Sequence, residues 1–235
     1  MNDPIFLIPG FMCDARAFLP QITTLSKGRN FSVVLPTFST IEDSATYSLA
    51  TAPQQFTLVG QGLGGDVALE ILRRAPDRVT RIVLLSTDLL SEAPVLAAAR
   101  EDRIVAAQSG RLADALAEDL PLSSLADCPH RLQVFATLNA MALDLGSDVF
   151  VAQSRALQRR PDQQKTLRRA QLPALILAGA QDRFVGARRQ ELSAGLMPFA
   201  KFVLIENAGH MAPLEQPQAV TDALEAFLAG PLLLR

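Results

Sequence analysis

The stretch "LVGQGLGGDVALE", residues 58–70, decides the fold, because its glycines fit two different frames. Gly60, Gly62 and Gly65 satisfy G-x-G-x-x-G, the pattern of a turn that cradles a dinucleotide pyrophosphate. Gly60 and Gly64 satisfy the outer positions of G-x-S-x-G, the sharp strand-to-helix turn that exposes an attacking serine. In that frame Gly62 stands where the serine belongs. Either frame requires a strand before the turn and a helix after it. "FTLVG" (56–60) supplies an apolar strand. Residues 63–75 place Val67, Ile71 and Leu72 on one helical stripe with Glu70, Arg73 and Arg74 opposite, and Pro76 stops the helix.

Outward from this turn, short apolar runs recur: "IFLIP" (5–9), "FSVVLP" (31–36), "RIVLLS" (81–86), "ALILAG" (174–179) and "KFVLIE" (201–206). They do not alternate, as expected of strands buried on both faces of a parallel sheet. The closing segment 216–230 is amphipathic, with Val220, Leu224, Phe227 and Leu228 inward and Gly230 at its end. Strands alternating with helices predict an α/β doubly wound sheet. Residues 91–170 break the rhythm. They contain helical pieces at 93–108, 110–119, 130–145 and 147–159, and in the third Leu132, Phe135, Leu138 and Met141 recur at helical spacing. An insertion of roughly 80 residues is far longer than an ordinary βα loop. The expected organisation is a core of 1–90 and 171–235 with a helical cap, 91–170, over the sheet's C-terminal edge, where ligands bind in open α/β folds. The tail "PLLLR" is expected to pack loosely.

Composition excludes several classes. Of the 235 residues 49% are hydrophobic and 20% charged, and the net charge is −2, as in an ordinary soluble globule. No basic cluster exceeds the Arg159-Arg160 and Arg168-Arg169 pairs, so neither nucleic acid nor an anionic membrane is an expected partner. Cys13 and Cys128 form no C-x-x-C pair. With only His130 near Cys128, no metal site is expected, and a reducing compartment is favoured over a disulfide framework. "MNDPIFLIPG" lacks the basic region of a signal peptide and the apolar runs fall short of a membrane span, so a cytoplasmic protein is expected.

The dinucleotide frame accounts for little else. Asp88 ends the next strand, where a ribose-binding acid is expected, but it leads into the helical insertion. The turn also follows earlier βα units, whereas a dinucleotide turn normally follows the first strand. The serine-turn frame explains more. "LAGAQDRFV" (177–185) offers Asp182 after a late strand, and "ENAGHMAPLEQP" (206–217) offers His210 after the last. A turn, an acid and a histidine in that chain order, each at a strand's C-terminal end, converge on one cleft.

These motifs together resemble the α/β-hydrolases, in particular the small esterase, lactonase and proline-iminopeptidase-like group. "FLIPGFMCDARAF" resembles the family's oxyanion loop, with Pro9 in place of a histidine before Gly10. "VGQGLGGDVALEILRRAPDRVTRIVLLST" resembles its G-H-S-M-G-G turn with the helix and strand that follow. "LPALILAGAQDRFV" and "NAGHMAPLEQPQAV" resemble its acid and histidine motifs. The resemblance runs from about residue 4 to 229 and departs at Gln61, for histidine, and at Gly62, for the nucleophilic serine.

The resemblance implies hydrolysis of a small carboxylic ester, lactone or related acyl compound by a Ser-His-Asp triad, without cofactor or metal. His210 would move the proton and Asp182 would orient it, with Asp88 as the fallback acid. The N–H groups of Phe11 and Leu63 would form the oxyanion hole. Met12, Leu138, Met141 and Met211 are candidates for an acyl pocket. Gly62 brings no oxygen, and neither Gln61 nor Leu63 can replace it. Cys13 lies close enough in sequence to approach the cleft. The chain is therefore expected to be nearly inactive or to trap substrate, whether Gly62 was introduced or is natural. The alternatives are a ligand-binding relative without catalysis and, more distantly, a dinucleotide-binding oxidoreductase.

Overall fold

The apolar runs form the strands of one sheet in the computed structural model, which describes residues 3–232. They are β1 (Ile5–Ile8), β2 (Phe31–Val33), β3 (Phe56–Gln61), β4 (Val79–Leu85), β5 (Ala174–Gly179) and β6 (Ala200–Ile205). The sheet has six strands in the order β2-β1-β3-β4-β5-β6, every neighbour parallel. The chain therefore builds outward from β1 in one direction and returns to build in the other. Ligand sites of open α/β sheets collect at the C-terminal ends of strands beside such a reversal.

The helices are α1 (Leu19–Leu25), α2 (Ile41–Thr51), α3 (Leu63–Arg74), α4 (Pro94–Gln108), α5 (Leu112–Asp119), α6 (Arg131–Gln158), α7 (Gln164–Arg169), α8 (Ala187–Gly195), α9 (Ala212–Glu215) and α10 (Pro217–Leu228). Successive strand residues point to opposite faces, and the core divides accordingly. Ile5, Leu7, Val59, Val83 and Leu177 pack with α1, α10 and much of α4–α6. Phe6, Ile8, Leu58, Ile82 and Ile176 pack with α2, α3 and parts of α7 and α8.

Several expectations change in detail. β2 stops at Val33, three residues before Pro36, which has no N–H to offer a ladder. β6 is an edge strand with Lys201 exposed, so the run 201–206 is not buried on both faces. The inward residues of the closing helix, Val220, Leu224, Phe227 and Leu228, are all buried. Pro231 and Leu232 of the tail are exposed, and 233–235 lie outside the described residues.

Four helices, α4 to α7, fill the span between β4 and β5. The segments 130–145 and 147–159 join as the single helix α6, but Gly146 has φ 80° and ψ 178°, so the rod bends there. Leu138 and Met141 turn inward as their spacing suggested, while Leu132 is 72% exposed. By length and composition α6 is apolar enough to cross a membrane, yet Gly146 interrupts it and Val134, Leu138, Met141 and Phe150 are packed into the core. The α6 side chain of Gln153 ties this helix to the sheet: Oε1 accepts from the N–H of Met12 at 2.7 Å, and Nε2 donates to the carbonyl of Pro36 at 2.9 Å.

Candidate active site

Gly62 links β3 directly to α3, with φ 49° and ψ −119°. A side chain at this angle is strained, and such strain persists only where surrounding structure enforces it. Here the N–H of Gly62 donates to Leu85 at 3.0 Å, while its carbonyl accepts from Gly65 and Asp66 at 2.9 and 3.2 Å. Two turns of backbone pass so closely that Gly64 has no room for a Cβ, which would collide with the carbonyls of Ile8 and Pro9. A Cβ on Gly65 would collide with Thr87. These glycines bring the helix onto the strands, so the second frame, not a phosphate cradle, explains them.

His210 reaches this turn from the other side. A Cβ built on Gly62 would stand 3.6 Å from His210 Nε2 and 3.9 Å from the carbonyl oxygen of Ser86, with nothing nearer. On its far side, Nδ1 lies 3.1 and 3.2 Å from the two carboxylate oxygens of Asp182. The Asp182 side chain is fully buried, and that of His210 is 18% exposed. Phe184 meets the imidazole edge-on, with centroids 5.0 Å apart. Asp182 Oδ1 also accepts from the N–H groups of Phe184 and Val185 at 2.9 and 3.1 Å. One carboxylate thus contacts both the imidazole and the two loop amides.

Burial alone would raise the Asp182 carboxyl, but His210, the Val185 N–H and the Ser86 hydroxyl outweigh it and hold the group below the ordinary carboxylate value. Burial opposes charge on His210 as well. The adjacent carboxylate wins again and lifts the imidazole above its ordinary 6.5. This geometry gives a neutral imidazole its Nδ1–H toward Asp182 and a basic Nε2 toward the turn.

Phe11 and Leu63 flank the same turn. Neither backbone N–H has a hydrogen-bond acceptor among the described residues, and Leu63 opens α3, where amides have no partner within the helix. The loop that carries Phe11 is fixed tightly. Met12 carries φ 52° and is held by Gln153, and Phe11 rests edge-on against Phe150 at 5.4 Å.

Other sequence candidates fall elsewhere. Asp88 is committed to Arg189 at 2.7 Å and Arg160 at 3.5 Å, and its Oδ1 accepts from Leu90, so it serves neither His210 nor a ribose. Cys13 is buried, and burial followed by the nearby charge of Asp14 pushes its thiol up to about 12, which leaves it inert. Met12, Leu138, Met141 and Met211 are all buried in the core shared by the sheet and the cap helices. Met211 Sδ also accepts from Gln61 Nε2 at 3.3 Å, and that amide donates to the His210 carbonyl at 3.1 Å. Gln61 thus braces the histidine loop. A groove of about 770 Å³ lies away from Gly62, between the end of α3 and α7, walled by charged groups such as Glu70, Arg73 and Lys165.

Sequence reasoning missed three residues around the site. Glu215 accepts from the N–H groups of Ala126, Gly209 and Met211 at 2.6, 3.0 and 2.9 Å, joining the cap to the histidine loop. Gln153 anchors the Met12 loop, and Ser86, with φ 47°, turns its carbonyl toward Gly62. Their partners are remote in sequence or, for Ser86, lie in the backbone, so no local motif announces them. His130, at the start of α6, donates from Nε2 to the carbonyl of Glu215 at 2.7 Å.

Comparisons with known proteins bear on the family and the fold. A model of the alpha/beta hydrolase fold family matches residues 30–217, and the chain belongs to that family. It is similar to the biotin biosynthesis bifunctional protein BioHC of Teredinibacter turnerae, 27% identical over 191 residues. That match takes in 75% of this chain but 33% of the bifunctional protein, so the chain spans about a third of that relative's length. A pimeloyl-(acyl-carrier protein) methyl ester esterase of Aromatoleum aromaticum is 26% identical over 203 residues, 81% of each chain. Among solved structures, a thermophilic esterase from Thermogutta terrifontis superposes with a TM-score of 0.86 at 24% identity, covering 97% of this chain and 90% of its own.

Proposed function

We propose that this chain is an α/β-hydrolase for a small carboxylic ester, lactone or related acyl compound, with Asp182 and His210 as its acid–base pair and the Phe11 and Leu63 amides as its oxyanion donors. Its nucleophile position is Gly62. The observation that carries the reading is the alignment of three groups. Asp182 holds Nδ1 of His210, while Nε2 faces, at 3.6 Å, the point where a side chain on Gly62 would begin. A serine placed there would find its base already oriented. The unpartnered amides of Phe11 and Leu63 support the oxyanion role, since donors left free in a folded loop are available to a developing negative charge. The free thiols Cys13 and Cys128 support a reducing, cytoplasmic setting.

The test is a gain of function. Gly62→Ser is expected to release p-nitrophenol from p-nitrophenyl acetate in a burst and to carry an acetyl adduct in the intact mass. His210→Ala added to Gly62→Ser is expected to abolish both. A folded Gly62→Ser chain that stays inert across acyl lengths leaves a ligand-binding relative as the better description.

A further inference from the structure

We propose that the chain, with Gly62 in place, hydrolyses activated acyl esters without an acyl-enzyme, using a water molecule held between Gly62, Nε2 of His210 and the carbonyl oxygen of Ser86 as the nucleophile. The inference rests on the acyl-site reading above and adds a chemistry that reading does not contain.

Three observations carry it. A Cβ on Gly62 would meet only His210 Nε2, at 3.6 Å, and the Ser86 oxygen, at 3.9 Å. Apart from the neighbouring residues of the chain, these two hydrogen-bond acceptors are thus the groups that face the start of a side chain at position 62. A hydroxymethyl group is larger than a water molecule, which occupies about 30 Å³ in the liquid, so the space a serine side chain would take holds one water. The two acceptors match the two hydrogens of one water, one toward Nε2 and one toward Ser86. Ser86 accepts this role at a cost, since its φ of 47° is a strained value for a residue with a side chain. The strain is consistent with a carbonyl held in place for use. Finally, Asp182 occupies Nδ1, so that Nε2 is left as the acceptor of the neutral ring.

The step balances without a further reagent. The water oxygen forms a bond to the acyl carbon, and its proton passes to Nε2 of His210. The carbonyl π electrons move onto oxygen, which faces the amides of Phe11 and Leu63. Collapse of this tetrahedral species restores the carbonyl and breaks the bond to the leaving oxygen, which takes the proton back from Nε2. The products are a carboxylic acid and an alcohol, and no covalent bond to the protein forms. Without an acyl-enzyme, water, a weaker nucleophile than an activated serine, has to attack the ester itself, so the carbonyl must already be activated by its leaving group. The substrate class is therefore esters with good leaving groups, such as aryl or enol esters and enol lactones, rather than simple alkyl esters.

The experiment compares the native chain with Gly62→Ser, Gly62→Ala and His210→Gln on a series of aryl acetates of graded leaving-group acidity. The chain is expected to turn over above the uncatalysed rate, without a burst and without an acetyl adduct, and to lose most of that excess in His210→Gln. Its kcat should fall as the leaving group becomes more basic and should rise with pH through a value above 6.5, where His210 becomes neutral. Gly62→Ala places a methyl where the water sits and is expected to lose about tenfold or more. Because alanine is strained at this φ, its melting temperature is read alongside, and His210→Gln supplies a second loss that does not touch the turn. An acetyl adduct on the native chain, or turnover that survives His210→Gln, overturns the inference. So does a native chain no faster than the uncatalysed rate while Gly62→Ser is active. If Gly62→Ser is folded but inert and the native chain turns over, the acyl-enzyme reading fails alone. If both are inert, both fail.

Discussion

Glu215 shows how a residue away from the reacting atoms sets their positions. Its carboxylate gathers three amide hydrogens from two separate loops, one of which carries His210. Burial raises its pKa, and the N–H groups of Ala126, Gly209 and Met211 pull it back only in part. Glu215→Gln keeps the size but replaces one acceptor oxygen with a donor that faces N–H groups. An unsatisfied buried donor costs about 1–3 kcal/mol. The variant is expected to melt several degrees lower. In a Gly62→Ser background it should lose kcat more than KM, because the proposed acid–base pair shifts while the rest of the cleft stays in place. An unchanged kcat with a lowered melting temperature would reduce Glu215 to a purely structural role.

At the scale of elements, α6 is unusual in crossing the molecule with one non-helical residue inside it. On one side of Gly146, Asp144 pairs with Arg16 at 2.7 Å; on the other, Gln153 holds the Met12 loop. The bend lets one helix serve both anchors. Gly146→Ala forces a side chain into backbone angles that almost only glycine adopts, at about 1–3 kcal/mol. For a chain of this length, 1 kcal/mol shifts the melting temperature by roughly 2–4 °C. Calorimetry is expected to show a drop of that order, and no drop would mean that α6 tolerates straightening. The elements that were legible beforehand are those whose burial leaves a pattern. β1, β3, β4 and β5 are covered on both faces and read as unbroken apolar runs. α3 and α10 bury one stripe. By contrast α1, α2, α7 and α8 are short or mixed in polarity and gave no clear period. Asp182 and His210 were legible through their order after the glycine turn. Gln153 and Glu215 were not, because their partners lie 141 and 89 residues away in the chain.

The molecule as a whole carries a pH dependence centred beneath the glycine turn. Asp66, in the first turn of α3, is 1% exposed, with Arg160 at 3.7 Å and Asp88 and Glu92 nearby. Burial raises its carboxyl, Arg160 offsets part of this, and the two acids add to it, for a value of about 7 against an ordinary 3.8. The folded chain thus holds this proton more tightly than the unfolded chain. Between pH 4 and 7 the unfolded form has released it and the folded form has not, so stability falls as pH rises through that window and levels off above it. His210 acts in the same direction, its contribution present below 6.5 and lost as pH rises through its raised value. Asp66→Asn keeps the volume and removes the titration. It is expected to melt higher than the native chain at pH 8, with the gap closing near pH 4. A constant gap across that range would show that Asp66 does not titrate there.

The cap and the histidine loop are stitched together at the backbone as well. The N–H of His210 donates to the carbonyl of Ser124 at 3.0 Å, two residues before the Ala126 amide that Glu215 captures. This makes an interlock. Any motion that lifts residues 124–126 also pulls on the backbone of His210, so that corner cannot open while the imidazole keeps its place against Gly62.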